Sequence, residues 1–553
     1  MPRTDLLAHF PAPFTARPEQ ARLLAALADA IDEAEDGPGR PRVLLVEAPP
    51  GVGKSHIAVT LARWSGDAYL LTSQKLLQDQ YERDFGADLQ IVKGRDNYFC
   101  DRYGEARVPT SHGLCRRRRG PVCQCPYARA KAAALAGPIF CSNTAYFLTL
   151  RQWQQEQLPR RRLLVIDEAH ALEGQLVGVL TLAFPADAMK QLFGATLPRL
   201  PSADEYRPVL ASHRERLSAQ LTEVERLLEE LRPVGADDED LLVMPPSRAE
   251  QELLAQRDTL ESALARLRLF LESEDREWAV RYPDRLEATL ELVPLDIAQL
   301  AHELLEDAAG ITVLCSAYLG RRETVADAFR LPVDALRAFA VPSPFALEQR
   351  PLVYRPAARL SKTTLPVAEP AVFDEVAAIL GAHPAEKGLI HAASYAATQR
   401  LLRHLSERAP AQARRIILAE TASAKPRALG QHRDSVQATV LLSPSLREGV
   451  DLPDDFLRFQ IITKVPYPDL GDPWTAARRA RDPRWYAMET AKALVQAYGR
   501  ACRHAGDSGV TYILDAQFET FVAKCRVLLP PWFLEAADCA LREHHGGSEN
   551  EVG

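Results

Sequence analysis

Two short apolar runs dominate the hydrophobic pattern of this chain, VLLV at residues 43 to 46 and LLVI at residues 163 to 166. Uninterrupted runs of this length are typical of parallel strands that are covered on both faces. The first run leads into a Gly-containing stretch and then into AVTLARW, a sequence typical of a helix. The pattern therefore predicts strand, loop and helix units in an α/β fold.

A different pattern lies between residues 209 and 273, where apolar residues recur every three or four positions and predict two helices, at 209 to 232 and 249 to 273. The spaced residues are Leu217, Leu221, Val224, Leu228 and Leu231 in the first helix and Leu253, Leu260, Leu264, Leu267 and Leu271 in the second. An acidic, Pro-containing link joins them, which predicts an antiparallel hairpin. A stand-alone coiled coil that binds a partner protein is the alternative.

Composition limits the classes of function that remain. A chain of 553 residues exceeds what one hydrophobic core usually supports, so several domains are expected. No apolar run approaches the ~20 residues that cross a bilayer, and no secretion signal is visible, which favours a cytoplasmic protein. The net charge of −7 argues against a broadly basic surface, so any nucleic-acid site must be local.

The stretch APPGVGKS, from Ala48 to Ser55, fits a phosphate-binding loop in which Ala replaces the first glycine. Backbone amides near Gly51 and Gly53 can approach phosphates closely. Lys54 can reach the terminal phosphates, and the Ser55 hydroxyl can ligate Mg²⁺. An incidental turn is the alternative, but a strand and a helix stand on the correct sides of the loop.

The second apolar run ends in Asp167-Glu168-Ala169-His170. A buried parallel strand delivers the residues at its carboxyl end to the ligand crevice. Asp167 could there hold the metal ion, and Glu168 could orient or deprotonate the attacking water. A solvated turn after a strand is the alternative. Upstream, Arg17 and Gln20 precede a helical stretch, where a Gln amide can bind the adenine edge.

Near the C-terminus, Gln496, Arg500 and Arg503 fall at helical spacing, which places their side chains on one face. Arginines on one face suit the charge that spreads over a γ-phosphoryl group in transfer, whereas an Arg-rich solvated helix is the alternative. Asp451, in the turn REGVD, could couple the nucleotide to a bound strand.

Taken together, these motifs resemble the superfamily 2 helicases and, within them, the XPD/DinG branch of iron-sulfur DNA helicases. The resemblance rests on Gln20, APPGVGKS at 48 to 55, LLTSQKLLQDQ at 70 to 80, the cysteine cluster, DEAH at 167 to 170, SAYL at 316 to 319, SPF at 343 to 345, SY at 394 to 395, EGVD at 448 to 451 and QAYGRACR at 496 to 503. SAYL stands where SAT is usual, and KVPYPDLGDP at 464 to 473 departs from the LPF pattern of many DinG-like members.

The resemblance implies two RecA-like P-loop motor domains, with an iron-sulfur domain and a helical arch inserted in the first. The expected bounds are 1–88, 143–200 and 299–335 for the first motor domain, 89–142 for the iron-sulfur domain, 201–298 for the arch, 336–543 for the second motor domain and 544–553 for a disordered tail. It also implies ATP-driven 5′-to-3′ movement on single-stranded DNA, with unwinding of forked or hybrid duplexes, and we expect the protein to be a monomer. Thr72, Gln74, Ser394 and Tyr395 are expected to grip the strand.

Four of the nine cysteines, Cys100, Cys115, Cys123 and Cys125, lie where this family carries its cluster. Four thiolates suit a [4Fe-4S] cluster, and a zinc site is the alternative, although zinc loops commonly pair cysteines two to four residues apart. The consecutive residues Arg116, Arg117, Arg118 and Arg119 could meet DNA phosphates, and a solvated basic loop is the alternative.

One further alternative concerns the activity itself. ATP could switch the affinity of a non-unwinding protein for a nucleic-acid or protein partner, while the cluster senses redox state. Strand displacement would favour a motor, and stimulation of ATP hydrolysis by a protein alone would favour a switch.

Overall fold

The computed structural model describes residues 4–37, 39–113, 124–154, 158–231, 245–273, 276–283, 289–361, 364–419, 424–444, 452–504 and 506–547. Two parallel β-sheets organise these residues into two lobes, and each sheet has helices on its faces. This arrangement confirms the predicted α/β fold with two RecA-like domains. Among the helices of these ranges, none is long and apolar enough to cross a bilayer.

The first lobe is built on a seven-stranded sheet whose neighbouring strands are all parallel. In spatial order its strands are β10 (Leu336–Ala340), β1 (Val43–Glu47), β9 (Ala309–Ser316), β5 (Arg161–Asp167), β2 (Ala68–Thr72), β4 (Ile139–Asn143) and β3 (Gln90–Ile91). The two apolar runs of the sequence are the buried centres of β1 and β5. Their carboxyl ends face the same edge of the sheet because the strands are parallel.

The second lobe is built on a six-stranded sheet that is also parallel throughout. In spatial order its strands are β11 (Leu352–Ala358), β16 (Val510–Asp515), β15 (Phe459–Ile462), β12 (Gly388–His391), β14 (Val440–Ser443) and β13 (Ile416–Leu418). A separate antiparallel sheet of β6 (Leu182–Phe184), β8 (Leu290–Pro294) and β7 (Trp278–Arg281) lies at the base of the long helices.

The α-helices are Pro18–Glu35, Lys54–Ser65, Lys75–Phe85, Pro126–Ala136, Thr144–Gln154, Leu172–Leu180, Ala186–Phe193, Ala203–Glu230, Arg248–Glu272, Ala298–His302, Arg322–Phe329, Leu365–Ala382, Tyr395–Arg408, Pro410–Ala413, Lys425–Asp434, Pro473–Arg481, Pro483–Tyr498, Gln517–Cys525 and Pro531–Gly547. The 3-10 turns are Leu7–His9, Arg95–Asn97, Asp101–Ala106, Thr110–His112, Ala169–Ala171, Val333–Ala335, Leu347–Gln349, Asp454–Phe456 and Arg526–Leu528, and Glu303–Asp307 forms one π turn.

The predicted helical hairpin is confirmed by Ala203–Glu230 and Arg248–Glu272, which share one hydrophobic cluster. The guanidinium of Arg207, near the start of the first helix, donates to the carbonyls of Phe270 and Ser273 at the end of the second, so the helices run antiparallel. Leu217 and Leu267 are fully buried at the contact, as the spacing predicts, whereas Leu231 lies exposed beyond the end of the first helix.

Three of the expected bounds divide elements differently from the structure. The strand β10, assigned to the second motor domain, pairs with β1 of the first lobe. The strand β4 pairs with β2 of the same sheet, so the first lobe includes residues assigned to the iron-sulfur domain. The last helix continues to Gly547, beyond the residue at which the disordered tail was expected to begin. Packing between distant segments, which residue spacing does not encode, decides each case.

Candidate nucleotide site between the lobes

The phosphate loop has the backbone that its glycines predict. Gly51 and Gly53 adopt φ values of +81° and +87°, in the left-handed region that favours glycine. The loop ends where the helix Lys54–Ser65 begins, so the first amides of that helix point into the loop. The loop is held from outside by Arg17, which donates to the Gly51 carbonyl at 2.5 Å, and by Gln20, whose amide nitrogen lies 3.4 Å from the Gly53 carbonyl oxygen.

Both lobes approach this loop closely. A Cβ atom at Gly51 would lie 2.0 Å from Cζ of Phe345, which belongs to the SPF stretch after β10. A Cβ atom at Gly499, at the end of the helix Pro483–Tyr498, would lie 2.8 Å from Cγ of Pro50. These two glycines therefore allow the first and second lobes to meet at the phosphate loop.

The side chains predicted to hold ATP and the metal ion converge beside the loop. Lys54 Nζ, on the helix that follows β1, lies 3.7 Å from Glu168 Oε1, at the end of β5. The Asp167 carboxylate is buried and accepts hydrogen bonds from the Tyr81 hydroxyl at 2.8 Å and from the Glu168 amide at 2.9 Å. Tyr81, at 0% exposure, also lies near Ser55, which opposes the rise that burial causes in the pKa of Tyr81. Tyr81 thus joins the two expected Mg²⁺ ligands.

The surroundings of Asp167 and Glu168 shift the pKa values of these two carboxylates in opposite directions. Burial, and after it the charge of Glu168, raises the pKa of Asp167 to about 6. Burial would also raise the pKa of Glu168, but Lys54, His170 and Arg500 together outweigh it and hold that pKa below its ordinary value. Glu168 is therefore ionised at neutral pH, as a residue that positions an attacking water must be.

The donor set at this position fits Mg²⁺. It offers one hydroxyl, Ser55, and one buried carboxylate, Asp167, and Mg²⁺ is commonly bound through one or two such oxygens together with phosphates. A divalent cation would also offset the cost of burying Asp167 beside Glu168, the same cost that raises the pKa of Asp167.

His170 connects this edge to two other motifs. Its Nδ1 lies 2.9 Å from the Ser316 hydroxyl, 3.2 Å from Glu168 Oε2 and 3.2 Å from the Gln496 amide nitrogen. Ser316 ends β9 of the first lobe, whereas Gln496 belongs to a helix of the second. The histidine therefore contacts both lobes at the catalytic carboxylate.

The prediction that Gln496, Arg500 and Arg503 lie on one face of a helix is wrong. The helix ends at Tyr498, and Gly499 caps it. Arg500 lies in the turn that follows, 9% exposed, and its charge acts on Glu168. The Arg503 amide donates to Asp507 at 2.9 Å. The turn, and not a helical face, delivers Arg500 to the site. The close packing against Pro50 explains the glycine at position 499.

The four residues predicted to bind single-stranded DNA differ in their burial and hydrogen bonds. Thr72 is fully buried, and its hydroxyl donates to the Gln74 carbonyl at 3.2 Å. Gln74 and Ser394 each precede a helix, and the Ser394 hydroxyl accepts the Ala397 amide at 3.2 Å. Tyr395 is 52% exposed at the start of its helix. Their contact with DNA stays a prediction.

Several predicted residues lie outside the described ranges: Cys115, Arg116, Arg117, Arg118, Arg119, Cys123 and Asp451. Of the four predicted cluster ligands, Cys100 and Cys125 are described, and both are buried. Within the described ranges, no group of three or more His, Cys, Asp or Glu side chains is placed to hold a metal ion.

Two contacts tie the described cysteines to the rest of the predicted cluster loop. Arg129 donates to the Gln124 carbonyl at 2.5 Å and lies 3.0 Å from the Asp101 carboxylate, which connects the residues next to Cys125 and Cys100. A Cβ atom at Gly113 would lie 3.4 Å from Cβ of Cys100, so the chain passes Cys100 shortly before it reaches position 115.

Tyr81 is a residue that the sequence analysis missed, although it stands one position after the quoted stretch LLTSQKLLQDQ. A single tyrosine on an amphipathic helix carries no periodic signal, and its contact with Asp167 joins segments 86 residues apart. An alignment that kept a hydroxyl-bearing residue at this position would have been the signal to find it.

Replacing Tyr81 with Phe is expected to weaken Mg²⁺-dependent nucleotide binding about tenfold, because a partner of a metal-ligating carboxylate orients that ligand. The measurement is the affinity for a fluorescent ATP analogue over a range of Mg²⁺ concentrations. Tyr206→Phe is the matched control, since Tyr206 is equally buried but its hydroxyl is hydrogen-bonded to that of Tyr282, within the helical arch. An unchanged Mg²⁺ dependence in Tyr81→Phe would contradict the expectation.

Comparisons with known proteins agree with this geometry. Residues 377–535 match the model of the family described as "Helicase C-terminal domain". The chain is 24% identical to the ATP-dependent DNA helicase YoaA of Escherichia coli (strain K12), over 91% of each chain. It is 26% identical to the ATP-dependent helicase DinG of Mycobacterium tuberculosis, over 74% of this chain and 67% of that protein.

Solved structures share the fold across most of the chain. A structure described as an XPD helicase superposes with a TM-score of 0.60 at 15% identity, over 92% of this chain and 98% of the other. The structure of Xpd4 from S. tokodaii superposes with a TM-score of 0.55 at 16% identity, over 93% and 98% of the two chains. The overall fold is therefore shared with these structures.

Proposed function

Because this chain is an ATP-dependent helicase of the XPD/DinG type in superfamily 2, we propose that it moves 5′ to 3′ along single-stranded DNA and separates forked DNA duplexes and DNA–RNA hybrids. The observation that carries the proposal is a nucleotide site assembled from both lobes. The charge of Arg500, in the second lobe, lowers the pKa of Glu168 in the first. The amide nitrogen of Gln496, in the second lobe, lies 3.2 Å from His170 Nδ1 in the first.

A site of this kind makes hydrolysis depend on the distance between the lobes. Lys54 and Ser55 would bind the phosphates and the metal ion together with Asp167, and Mg²⁺ would neutralise developing charge on the transferred phosphoryl group. Glu168 would position the attacking water. Arg500, and with it the predicted Arg503, would stabilise the transition state only when the lobes are closed. Closure and reopening then change the separation of two surfaces that hold one strand.

The strand would pass over both lobes at the residues predicted to grip it. Ser394 and Tyr395 begin a helix, so phosphate oxygens could meet the free amides of its first turn. Tyr395 is exposed enough to stack on a base. Gln74 begins a helix in the first lobe. A motor with two lobes needs a DNA-binding site on each lobe, so that a change in their separation moves the strand.

The decisive experiment compares duplexes that carry a 5′ or a 3′ single-stranded tail. Purified protein with ATP and Mg²⁺ should separate the 5′-tailed duplex, and Lys54→Ala should not. Separation of the 3′-tailed duplex alone would overturn the polarity. ATP hydrolysis without separation of either duplex, stimulated by a protein partner instead of DNA, would favour the switch over the motor.

Cys100, Cys115, Cys123 and Cys125 are the proposed ligands of a [4Fe-4S] cluster. The burial of Cys100 and Cys125 and the bridge that Arg129 makes between their neighbours support it. Cluster ligation needs thiolates that are shielded from solvent and held by short surrounding contacts. When bound, the cluster would link the four cysteines of this segment to one another, and zinc ligation by the same cysteines remains the alternative.

Replacing Cys125 with Ser is expected to remove the visible absorption of the cluster and most of the bound iron, with loss of duplex separation but retention of nucleotide binding. Iron, zinc and acid-labile sulfide are measured together with the absorption spectrum of anaerobically purified protein. Cys525→Ser is the control, because Cys525 is a half-buried cysteine of the second lobe. Stoichiometric zinc without iron in the unaltered protein would overturn the cluster.

A further inference from the structure

The helix Pro126–Ala136 starts directly after one of the proposed cluster ligands. Cys125 is its N-terminal cap residue, and the Cys125 carbonyl accepts the amide of Arg129 at 2.9 Å. A movement of this helix therefore moves Cys125 as well. Of its 11 residues only Tyr127 and Ala134 are buried, so apolar packing by itself gives the helix a weak attachment to the rest of the protein.

The other end of the helix is attached to the first lobe by one arginine. The last carbonyls of a helix have no amide partners within it. Arg161 Nη2 donates to two of them, those of Ala134 at 3.2 Å and Leu135 at 2.9 Å. Arg161 Nη1 donates to two further carbonyls just past the helix, those of Gly137 at 2.8 Å and Pro138 at 3.1 Å. One guanidinium thus binds four carbonyls at this end of the helix.

Arg161 is itself held within the first lobe. It is the first residue of β5, and its side chain is 3% exposed. The guanidinium lies 4.9 Å from the ring centre of Tyr69, in β2, and 3.4 Å from the carboxylate of Asp67, just before β2. A buried cation is costly unless it is hydrogen-bonded and its charge is compensated. Here the Asp67 carboxylate and the negative end of the helix dipole compensate it.

Resting on the iron-sulfur cluster proposed above, we propose that Arg161 is the positioning residue that fixes the helix Pro126–Ala136 to β5 and so holds Cys125 in place as a cluster ligand. A helix of this length is about 16 Å long, and fixing its far end limits the tilt that would carry Cys125 away from the other ligands. Arg161 acts through the helix, because its contacts lie at the end opposite to Cys125.

The test replaces Arg161 with Lys in the full-length protein, purified anaerobically. Arg161→Lys keeps the positive charge near Asp67, but the three donors of an ammonium share one nitrogen and cannot meet the four carbonyls that a planar guanidinium spans. Release of iron to an excess of a ferrous chelator should be about tenfold faster than in the unaltered protein. The affinity for a fluorescent ATP analogue should not change, because the nucleotide site lies at the other end of β5.

Hydrogen exchange of the backbone amides provides a second measurement on the same samples. In Arg161→Lys the amides of the helix Pro126–Ala136 should exchange faster, because its last turn loses hydrogen-bond partners. The amides in the centre of β5 should keep their protection, since both neighbouring strands remain paired with it. A general loss of stability would instead speed exchange in both elements.

Arg415→Lys is the matched control, because Arg415 directly precedes a strand of the second lobe and binds the end of another helix in the same way. It donates to the carbonyls of Leu380 and His383, each at 2.8 Å, at the end of the helix Leu365–Ala382. Arg415→Lys should speed amide exchange in that helix and leave the release of iron unchanged.

The proposal is overturned if Arg161→Lys releases iron at the original rate, if Arg415→Lys speeds the release equally, or if amide exchange in the helix Pro126–Ala136 is unchanged. Arg161→Met, which removes every donor of the side chain, should release iron faster still. If Arg161→Met does not fold, Arg161→Lys decides by the same measurements.

The two measurements also separate this proposal from the cluster on which it rests. Unaltered protein that contains neither iron nor acid-labile sulfide would overturn the cluster, and the positioning of a cluster ligand with it. Amide exchange in Arg161→Lys of such a protein would still show whether Arg161 fixes the helix to β5. Iron that is present but released at equal rates would overturn the positioning role alone.

Discussion

Replacing Glu168 with Gln is expected to slow ATP hydrolysis about 10²- to 10⁴-fold, the range typical of a lost general base. Glu168 follows directly on the buried end of β5, and three neighbouring groups keep it ionised. The amide of Gln is nearly the same size, so the packing against Lys54 and His170 survives. The substitution removes the charge that orients water and leaves the phosphate loop intact.

The measurement is single-turnover hydrolysis of ATP in the presence of single-stranded DNA, together with the affinity for a fluorescent ATP analogue. Glu369→Gln is the control, because Glu369 is a buried carboxylate of the second lobe that pairs with Arg400 at 2.6 and 2.8 Å. Glu369→Gln should lower the stability of the protein but leave the rate of ATP hydrolysis unchanged. Hydrolysis in Glu168→Gln at the original rate would mean that another group activates the water.

Replacing Arg500 with Ala is expected to lower the rate of hydrolysis about 10³-fold, the lower end of the range for an arginine that meets a transferred phosphoryl group. Arg500 sits in a turn of the second lobe and is almost buried, and its positive charge acts on Glu168 of the first. Arg500→Lys keeps the charge but loses the planar fork of donors, so we expect only partial recovery.

Single-turnover hydrolysis again measures the effect, and nucleotide affinity should change much less than the rate. Arg526→Ala is the matched control, because this arginine lies on the surface of the same lobe and pairs with Asp538. A full rate of hydrolysis in Arg500→Ala would show that the second lobe does not complete the site, and the two-lobed motor would have to be abandoned.

The parts of this site that sequence reasoning could predict are those in which a short segment determines its own geometry. Gly51 and Gly53 specify the loop, and the apolar run before Asp167 specifies a strand that ends at the ligand crevice. These local rules are sufficient to bring Lys54 and Glu168 together, because both elements belong to one parallel sheet.

The parts that could not be predicted depend on contacts between distant segments. Tyr81 meets Asp167, and Tyr318 meets Leu528, across 86 and 210 positions of the chain. Arg500 was expected on a helix, and the spacing of residues could not reveal that Gly499 ends it against Pro50 of the other lobe. In each case a tertiary contact overrides or adds to the local pattern.

The order of strands in the first sheet has a consequence for how the protein is made. The strand β1, which carries the phosphate loop, lies between β9 and β10, and these strands begin only at residues 309 and 336. A nascent chain therefore leaves the ribosome with its nucleotide-binding strand unpaired on both edges until β9 has been translated, because β1 ends at residue 47 and β9 begins at residue 309. Such a long wait exposes an apolar strand to mispairing, so production of this protein should benefit from slow synthesis or from chaperones.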